Sequence, residues 1–195
     1  MLTPSIYRDH FARAKPYSSY VSTGTADQQA KWRAFHALVR VTESQRSLVG
    51  SFTRRVNVLV ISGVWCGDCV QQCPMLDHLA TIKPARGDGP GVDLRFVDRD
   101  EHKDLSDAVM ICGGNRVPTV IFLNEDMEFI GLSTDKSISR LRALAARQLG
   151  PSCPVPGAPV PADEIAATLQ DWCTDLEKAH LLARLSAKLR QKHGD

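Results

Sequence analysis

Trp65-Cys66-Gly67-Asp68-Cys69 follows directly on Val56-Asn57-Val58-Leu59-Val60-Ile61-Ser62, a short β-branched and largely apolar run. A run of that kind suits a strand covered on both faces. The residues from about Cys66 to Lys83 then suit a helix, which Pro74 is expected to kink. A strand that turns straight into a helix places Cys66 at the helix N-terminus. Free amide N–H groups and the positive end of the helix dipole favour a thiolate there. Cys69 lies one turn further on, within reach of the same sulfur. The two read as the nucleophile and the resolving thiol of thiol–disulfide exchange.

Working outward, Lys83–Gly91 holds three glycines and two prolines and reads as a loop. It carries no Lys-Ser/Thr and opens no helix, so it is not a phosphate loop. Val92–Val97 is a second strand, Asp98–Val109 a loop with a short helix, and Val117–Leu123 a third strand. After the turn Asn124-Glu125-Asp126, Met127–Leu132 is a fourth strand, antiparallel to the third because the link is so short. Ser133 or Thr134 caps a helix with Ile138, Leu141, Leu144, Ala145 and Leu149 on its apolar face, and Gly150-Pro151 ends it. Right-handed strand–helix–strand units give parallel pairing. The expected fold is α/β: a four-stranded mixed sheet with helices on both faces.

Residues 1–50 read as a helical extension, with Thr25 and Thr42 as caps. Residues 51–150 form the α/β domain. Residues 151–161 are a proline-rich, semi-rigid linker, since five prolines fall within Gly150–Pro161. Residues 162–195 resume a helical period, with Ile165, Leu169, Trp172, Leu176 and Ala179 on one face and Trp172 expected to be buried. The basic side chains of Lys178–Lys192 suit packing onto the core or a second subunit, which makes a homodimer through this helix an expectation.

The motif resembles the thioredoxin superfamily. Trp-Cys-Gly-x-Cys is matched by Trp65 to Cys69, and the helix proline five residues after the second cysteine by Pro74. The proline that family members hold in cis, followed by Thr and a strand, is matched by Val117-Pro118-Thr119-Val120 about 50 residues downstream. The closest flavour is the bacterial cytosolic branch with Trp-Cys-Gly-Asp-Cys and an N-terminal helical extension. The resemblance covers residues 52–150. It implies a thioredoxin-like fold and a redox-active disulfide, with Cys66, Cys69 and Pro118 as catalytic residues. Trp65, Gly67, Asp68 and Val117 would lie against the substrate. The substrate would be a disulfide-containing protein or small molecule, and the electron donor another dithiol, such as that of a flavin reductase. No bound cofactor is expected.

Three departures from that pattern stand out. Val60 occupies the position where thioredoxins proper carry a buried Asp, six residues before the first cysteine. Asp68 replaces the usual Pro between the cysteines. A carboxylate there opposes thiolate formation, which suits a reductant more than a strong oxidant. It reads either as a substitute proton acceptor or as a surface residue that stabilises the helix start. Cys73 adds a third thiol in Cys-x2-Cys-x3-Cys-Pro, and with Cys112 four thiolates form a candidate zinc or iron–sulfur ligand set. The redox motif already accounts for Cys66 and Cys69, and a buried Cys73 behaves as a small hydrophobe, so no metal is expected. Cys112 reads as a loop residue, and neither Cys153 nor Cys173 has an evident partner. Two readings stand beside the enzyme: a non-catalytic interaction module, and a Cys-ligated metal protein.

The remaining features exclude several classes. The 195 residues carry 24 Lys and Arg against 22 Asp and Glu, a net charge of +2. That balance, with pI ≈ 8.2, is too even for a nucleic-acid binder read from composition. No stretch reaches the apolar length of a membrane span, and the first twenty residues lack the core of a secretory signal. A cytoplasmic, reducing setting is therefore expected, where a tight Cys cluster means redox or metal chemistry more often than structural bridging. His78 reads as a solvated or capping side chain. Asp98, Asp100, Glu101 and Asp104 read as a solvated loop and cap.

Overall fold

The computed structural model describes residues 2–85, 91–149 and 159–194. Gly150, Pro151, Cys153, most of the linker and the glycine-rich stretch 87–90 lie outside the described residues.

The apolar run behind the motif forms β1 (Val56–Ser62), and all seven of its residues are buried. Successive side chains of a strand point to opposite faces, so complete burial means that both faces are covered. β2 (Val92–Asp98) pairs with β1 in parallel, Val56 opposite Val92 and Ser62 opposite Asp98. β3 (Thr119–Leu123) runs antiparallel on the other side of β1, and β4 (Phe129–Ser133) antiparallel to β3. The order β2-β1-β3-β4 is the expected four-stranded mixed sheet.

Four helices precede β1: α1 (Pro4–Arg13), α2 (Tyr17–Val21), α3 (Ala26–His36) and α4 (Glu43–Gly50). Thr25 and Thr42 cap α3 and α4 as read, each closing a capping box with Gln28 or Gln45. Between α1 and α2, Lys15 exchanges two backbone hydrogen bonds with Phe96, at 2.9 and 2.8 Å. The extension thereby covers an edge strand that would otherwise offer unpaired amides. Tyr20 and Trp32 pack beside Phe96 in the same core.

α5 (Gly67–Ala80) carries the cysteines, with Cys66 as its N-cap and Pro74 inside it. α6 (Lys103–Ala108) is the short helix after β2. α7 (Ile138–Gln148), α8 (Glu164–Leu185) and α9 (Ala187–His193) complete the chain. Trp172 of α8 is fully buried, as read.

Four expectations need correction. Ser137, not Ser133 or Thr134, caps α7. That helix buries Ser139 and Ala143, while Ile138, Leu141 and Leu149 are exposed. Small residues face α8 because the Ser139 amide donates to Asp171 at 2.8 Å and holds the helices close. β4 begins two residues later than read, because the Asn124 side chain accepts from the amides of Asp126 and Glu128 and draws those residues into the turn. The C-terminal helix breaks at Ser186, whose hydroxyl caps α9, and Leu182 and Leu185 are exposed. His78 caps, as read: it is partly buried, its ring lies 4.0 Å from that of His36, and its Nε2–H donates to the carbonyl of His36, the last residue of α3.

The basic tail folds back on the β3–β4 turn, Lys188 to Glu128 at 2.5 Å and Lys192 to Asp126 at 2.6 Å. Asp98 caps its own loop by accepting from the Asp100 amide at 2.8 Å. Among the described residues no helix is long and apolar enough to cross a membrane.

Candidate functional site

The sheet aims one end of β1 at the site. The Ser62 carbonyl accepts from the Arg99 amide at 2.9 Å, and Cys66 N–H returns to the Gly63 carbonyl at 2.9 Å, so the link from β1 to α5 is a tight turn. A Cβ at Gly63 would fall 2.7 Å from the Trp65 ring, which would have to swing aside. The Val64 carbonyl is held from outside the domain, by the indole N–H of Trp32 at 2.8 Å.

The turn delivers Cys66, half-buried, to the start of α5, and Cys69, fully buried, one turn behind it. Both are free thiols. Cys66 Sγ–H also donates to the Val117 carbonyl at 3.5 Å. The Val117–Pro118 peptide is cis. Both residues are buried, and Thr119 Oγ1 closes the turn onto the Arg116 carbonyl. Trp65 is 49% exposed beside Cys66. Gly67 faces open space, so its lack of a side chain answers no close contact. The structure thus brings together Trp65, Cys66, Gly67, Asp68, Cys69, Val117 and Pro118.

The electrostatics differ from the expectation of a favoured Cys66 thiolate. The neighbouring Cys69 thiol and then burial push the Cys66 thiol up, while the amide N–H groups of Cys69 and Asp68 pull the other way. Burial pushes Cys69 well up; the neighbouring Cys66 opposes this and Cys73 adds to it. The helix-start amides are present, but the neighbouring thiol outweighs them, and the pair titrates as a unit.

Asp68 is not an unengaged proton acceptor. Burial opposes its ionisation, but Lys136 at 2.9 Å and Arg140 at 2.7 Å hold its carboxyl below the usual range. Arg140 also reaches Glu164 at 2.9 Å and hydrogen-bonds Gln71. The charge of Asp68 is therefore largely cancelled before it is felt at Cys66.

Three charged neighbours of the motif escaped the sequence reading. Lys136 and Arg140 reach the motif from α7 and the loop before it. Arg99 stacks on Trp65, its guanidinium carbon 4.7 Å from the ring centroid. It is held as a cation first by Asp100, and its charge also acts on Cys66. The parallel pairing of β1 and β2 was the available signal, because it puts the residue after β2 next to the turn after β1. A cleft of about 320 Å³ opens beside Trp65, lined by Arg13, Lys15, Tyr20, Phe96 and His102 among others.

Val60 is buried among apolar residues, which confirms that no carboxylate stands at that position. Among the described residues no group of three or more His, Cys, Asp or Glu side chains is placed to hold a metal ion. Cys112 sits exposed in a turn at φ 50°, closed by the Ile111–Gly114 bridge.

A family model described as Thioredoxin matches residues 14–134. No curated protein matches. Two solved structures share the fold at 19% identity. One is an HIV epitope-scaffold, with a TM-score of 0.61 over 93% of this chain and 99% of that one. The other is a protein of unknown function from Pseudomonas aeruginosa, with a TM-score of 0.60 over 94% of this chain and 96% of that one.

Proposed function

The chain belongs to the thioredoxin family, and from that premise we propose that it is a thiol–disulfide oxidoreductase, a protein disulfide reductase that cycles Cys66 and Cys69 between dithiol and disulfide. The observation that carries this reading is the half-exposed Cys66 sulfur at the start of α5, one turn before the buried Cys69 and donating to the Val117 carbonyl beside the cis Val117–Pro118 peptide.

The Cys66 thiolate attacks one sulfur of a substrate disulfide. A mixed disulfide forms and the substrate's other sulfur leaves as a thiolate. Cys69 then attacks Cys66 Sγ, the substrate's second sulfur leaves, and Cys66–Cys69 closes. Two electrons pass from the dithiol to the substrate, and a second dithiol restores the enzyme. The first step needs the Cys66 proton to leave while Cys69 keeps its own, and the nearby charge of Arg99 favours that loss. Val117 and Trp65 flank the path by which an extended substrate segment reaches Cys66. The cleft beside Trp65 has room for one of that segment's side chains.

Insulin reduction with dithiothreitol as donor tests the reading. Cys66→Ser should abolish the activity. Cys69→Ser should accumulate a mixed disulfide at Cys66 that resists turnover. Activity retained by Cys66→Ser would remove Cys66 as the nucleophile and the reading with it.

A further inference from the structure

Two cations of the N-terminal extension line the cleft beside Trp65 without a carboxylate to pair with. Lys15 is fixed by its two backbone hydrogen bonds to Phe96, yet its ammonium has no ion-pair partner among the described residues. Arg13 meets the Asp9 carbonyl and His10 Nδ1, each at 3.3 Å. The carboxylates of the lining do not neutralise them. Asp98 Oδ1 is turned onto its own loop, accepting from the Asp100 amide at 2.8 Å and the Glu101 amide at 3.4 Å. Glu101 is exposed to solvent.

A third group stands behind the cations. His102 lines the same cleft, and its Nδ1 lies 2.7 Å from Nδ1 of His10; both residues are buried. Arginine can only donate. His10 Nδ1, which Arg13 reaches, is therefore an acceptor, and the hydrogen between the two rings belongs to His102. The remaining His10 hydrogen, on Nε2, is directed to Asp104 at 3.4 Å. The chain Asp104–His10–His102 thus fixes both tautomers. It leaves His102 Nε2, which has no partner among the described residues, as the free nitrogen at the cleft. A proton taken there keeps the bond to His10 and adds a third cation.

We propose that the cleft is a substrate-recognition subsite that takes a Glu or Asp side chain of the disulfide-bearing segment, held by Lys15 and Arg13 and, once protonated, by His102. The proposal rests on the reading that Cys66 attacks a protein disulfide. It names the segment attacked, one with an acidic residue close to the half-cystine. Trp65 joins the two places, since it is bonded to Cys66 and its ring walls the cleft.

The cleft, at about 320 Å³, is larger than a Glu side chain. An ion pair at an open surface contributes little. Lys15 is half-buried and springs from a backbone tied to the sheet, so it loses less freedom on pairing. Burial, then His10 and Arg13, lower the His102 pKa, against Asp104 and Glu101. Burial lowers His10 too, with Asp104 and Asp9 opposing it and Arg13 adding to it. His102 is therefore neutral at neutral pH, and a carboxylate bound at Nε2 draws a proton onto it. Preference for an acidic residue should grow as pH falls toward about 5.5, where Glu still carries its charge.

Three disulfide-looped peptides of one sequence, with Glu, Gln or Lys flanking each half-cystine, test this. Each is mixed in excess with pre-reduced full-length protein, and loss of free Cys66 is read by quenched alkylation. Rates are divided by those of dithiothreitol with the same peptide, which removes the peptide's own reactivity. Wild type should reduce the Glu peptide about 3–10-fold faster than the Gln peptide at neutral pH, and the ratio should rise toward about pH 5.5. In Lys15→Gln the ratio should fall to near one, and in Lys15→Glu the Lys peptide should lead. Lys178→Gln removes the same charge beside β4, at the far edge of the sheet, and should keep the wild-type ratio. A wild-type ratio near one overturns the subsite and leaves the dithiol cycle standing. So does a ratio that Lys15→Gln preserves, one that Lys178→Gln lowers as far, or reduction of insulin but not of the Glu peptide. A ratio flat with pH overturns the part given to His102. If wild type reduces neither the peptides nor insulin, the reading of Cys66 falls and takes this one with it.

Discussion

The indole N–H of Trp32 donates to the carbonyl of Val64 at 2.8 Å. Trp32 belongs to α3 of the N-terminal extension and Val64 to the turn that delivers Cys66. The extension is therefore a direct support of the site, fixing the peptide two residues before Cys66. Trp32→Phe keeps most of the buried ring but leaves the Val64 carbonyl without its donor. It should cost about 1–3 kcal/mol of stability, read from urea unfolding. Trp32→Ala also opens a cavity and should cost roughly 3–5 kcal/mol. If Trp32→Phe unfolds at the wild-type midpoint, the hydrogen bond contributes nothing.

Asp68 sits between two cations that no neighbouring residue in the sequence announces. Asp68→Asn removes the one carboxylate inside the motif and leaves Lys136 and Arg140 with their other partners, Asp135 and Glu164. Positive charge near Cys66 rises, its thiolate is favoured, and the dithiol becomes less reducing. The expected result is iodoacetamide alkylation of Cys66 faster by roughly 3–10-fold at neutral pH. Because the folded Asp68 pKa is depressed, its share of stability is present above the unfolded carboxyl range. It is lost as pH falls through the folded value. Asp68→Asn should flatten that acid limb in unfolding curves taken below about pH 4. An unchanged acid limb would show that the ion pairs add no stability.

What the sequence disclosed follows physical range. The caps at Thr25 and Thr42 are local, each complete within four residues, and were read correctly. The burial of β1 was written in its β-branched run, and the Cys66–Cys69 spacing in one helical turn. The α7 face misled because Ile138 and Leu141 look like core, while the packing against α8 is set by the small residues Ser139 and Ala143 and by a hydrogen bond to Asp171, 32 positions away. Trp32–Val64, Arg140–Asp68 and Arg99–Trp65 are long-range pairs whose meeting depends on register and helix placement. Local spacing carries no trace of them.

His180 carries a pH dependence of opposite chemistry to Asp68 but the same direction. Its Nε2 accepts from the Thr53 amide at 3.0 Å, and its ring stacks on Phe52 at 4.3 Å. Burial, then Arg184 and Arg54, lower its pKa. The unfolded chain therefore takes up the proton first as pH falls, and stability declines from about pH 6.5 downward. His180→Gln can keep an acceptor for Thr53 without titrating. It should show a smaller loss of unfolding midpoint between about pH 7.5 and about pH 5.5 than wild type. His10, His78 and His102 are lowered in the same sense, so part of the slope should remain. Parallel midpoint curves for the two proteins would rule His180 out as a source.

Arg99 is the cation that the β1–β2 register brings beside the Cys66 motif. β2 runs parallel to β1, its last residue opposite Ser62, and the next amide donates to the Ser62 carbonyl. The side chain is thereby laid across Trp65 at 4.7 Å, with its charge acting on Cys66. The guanidinium is partly exposed and paired with Asp100, so screening limits the effect. Arg99→Gln should slow alkylation of Cys66 by roughly 2–5-fold at neutral pH and low salt, with its pH profile moved upward. The difference should shrink as salt is raised. Arg99→Lys keeps the charge but loses the planar stack, and should recover part of the rate. A purely structural Arg99 would lower stability in both variants and leave the alkylation profile where it was, and that outcome would remove the cation from the account of Cys66.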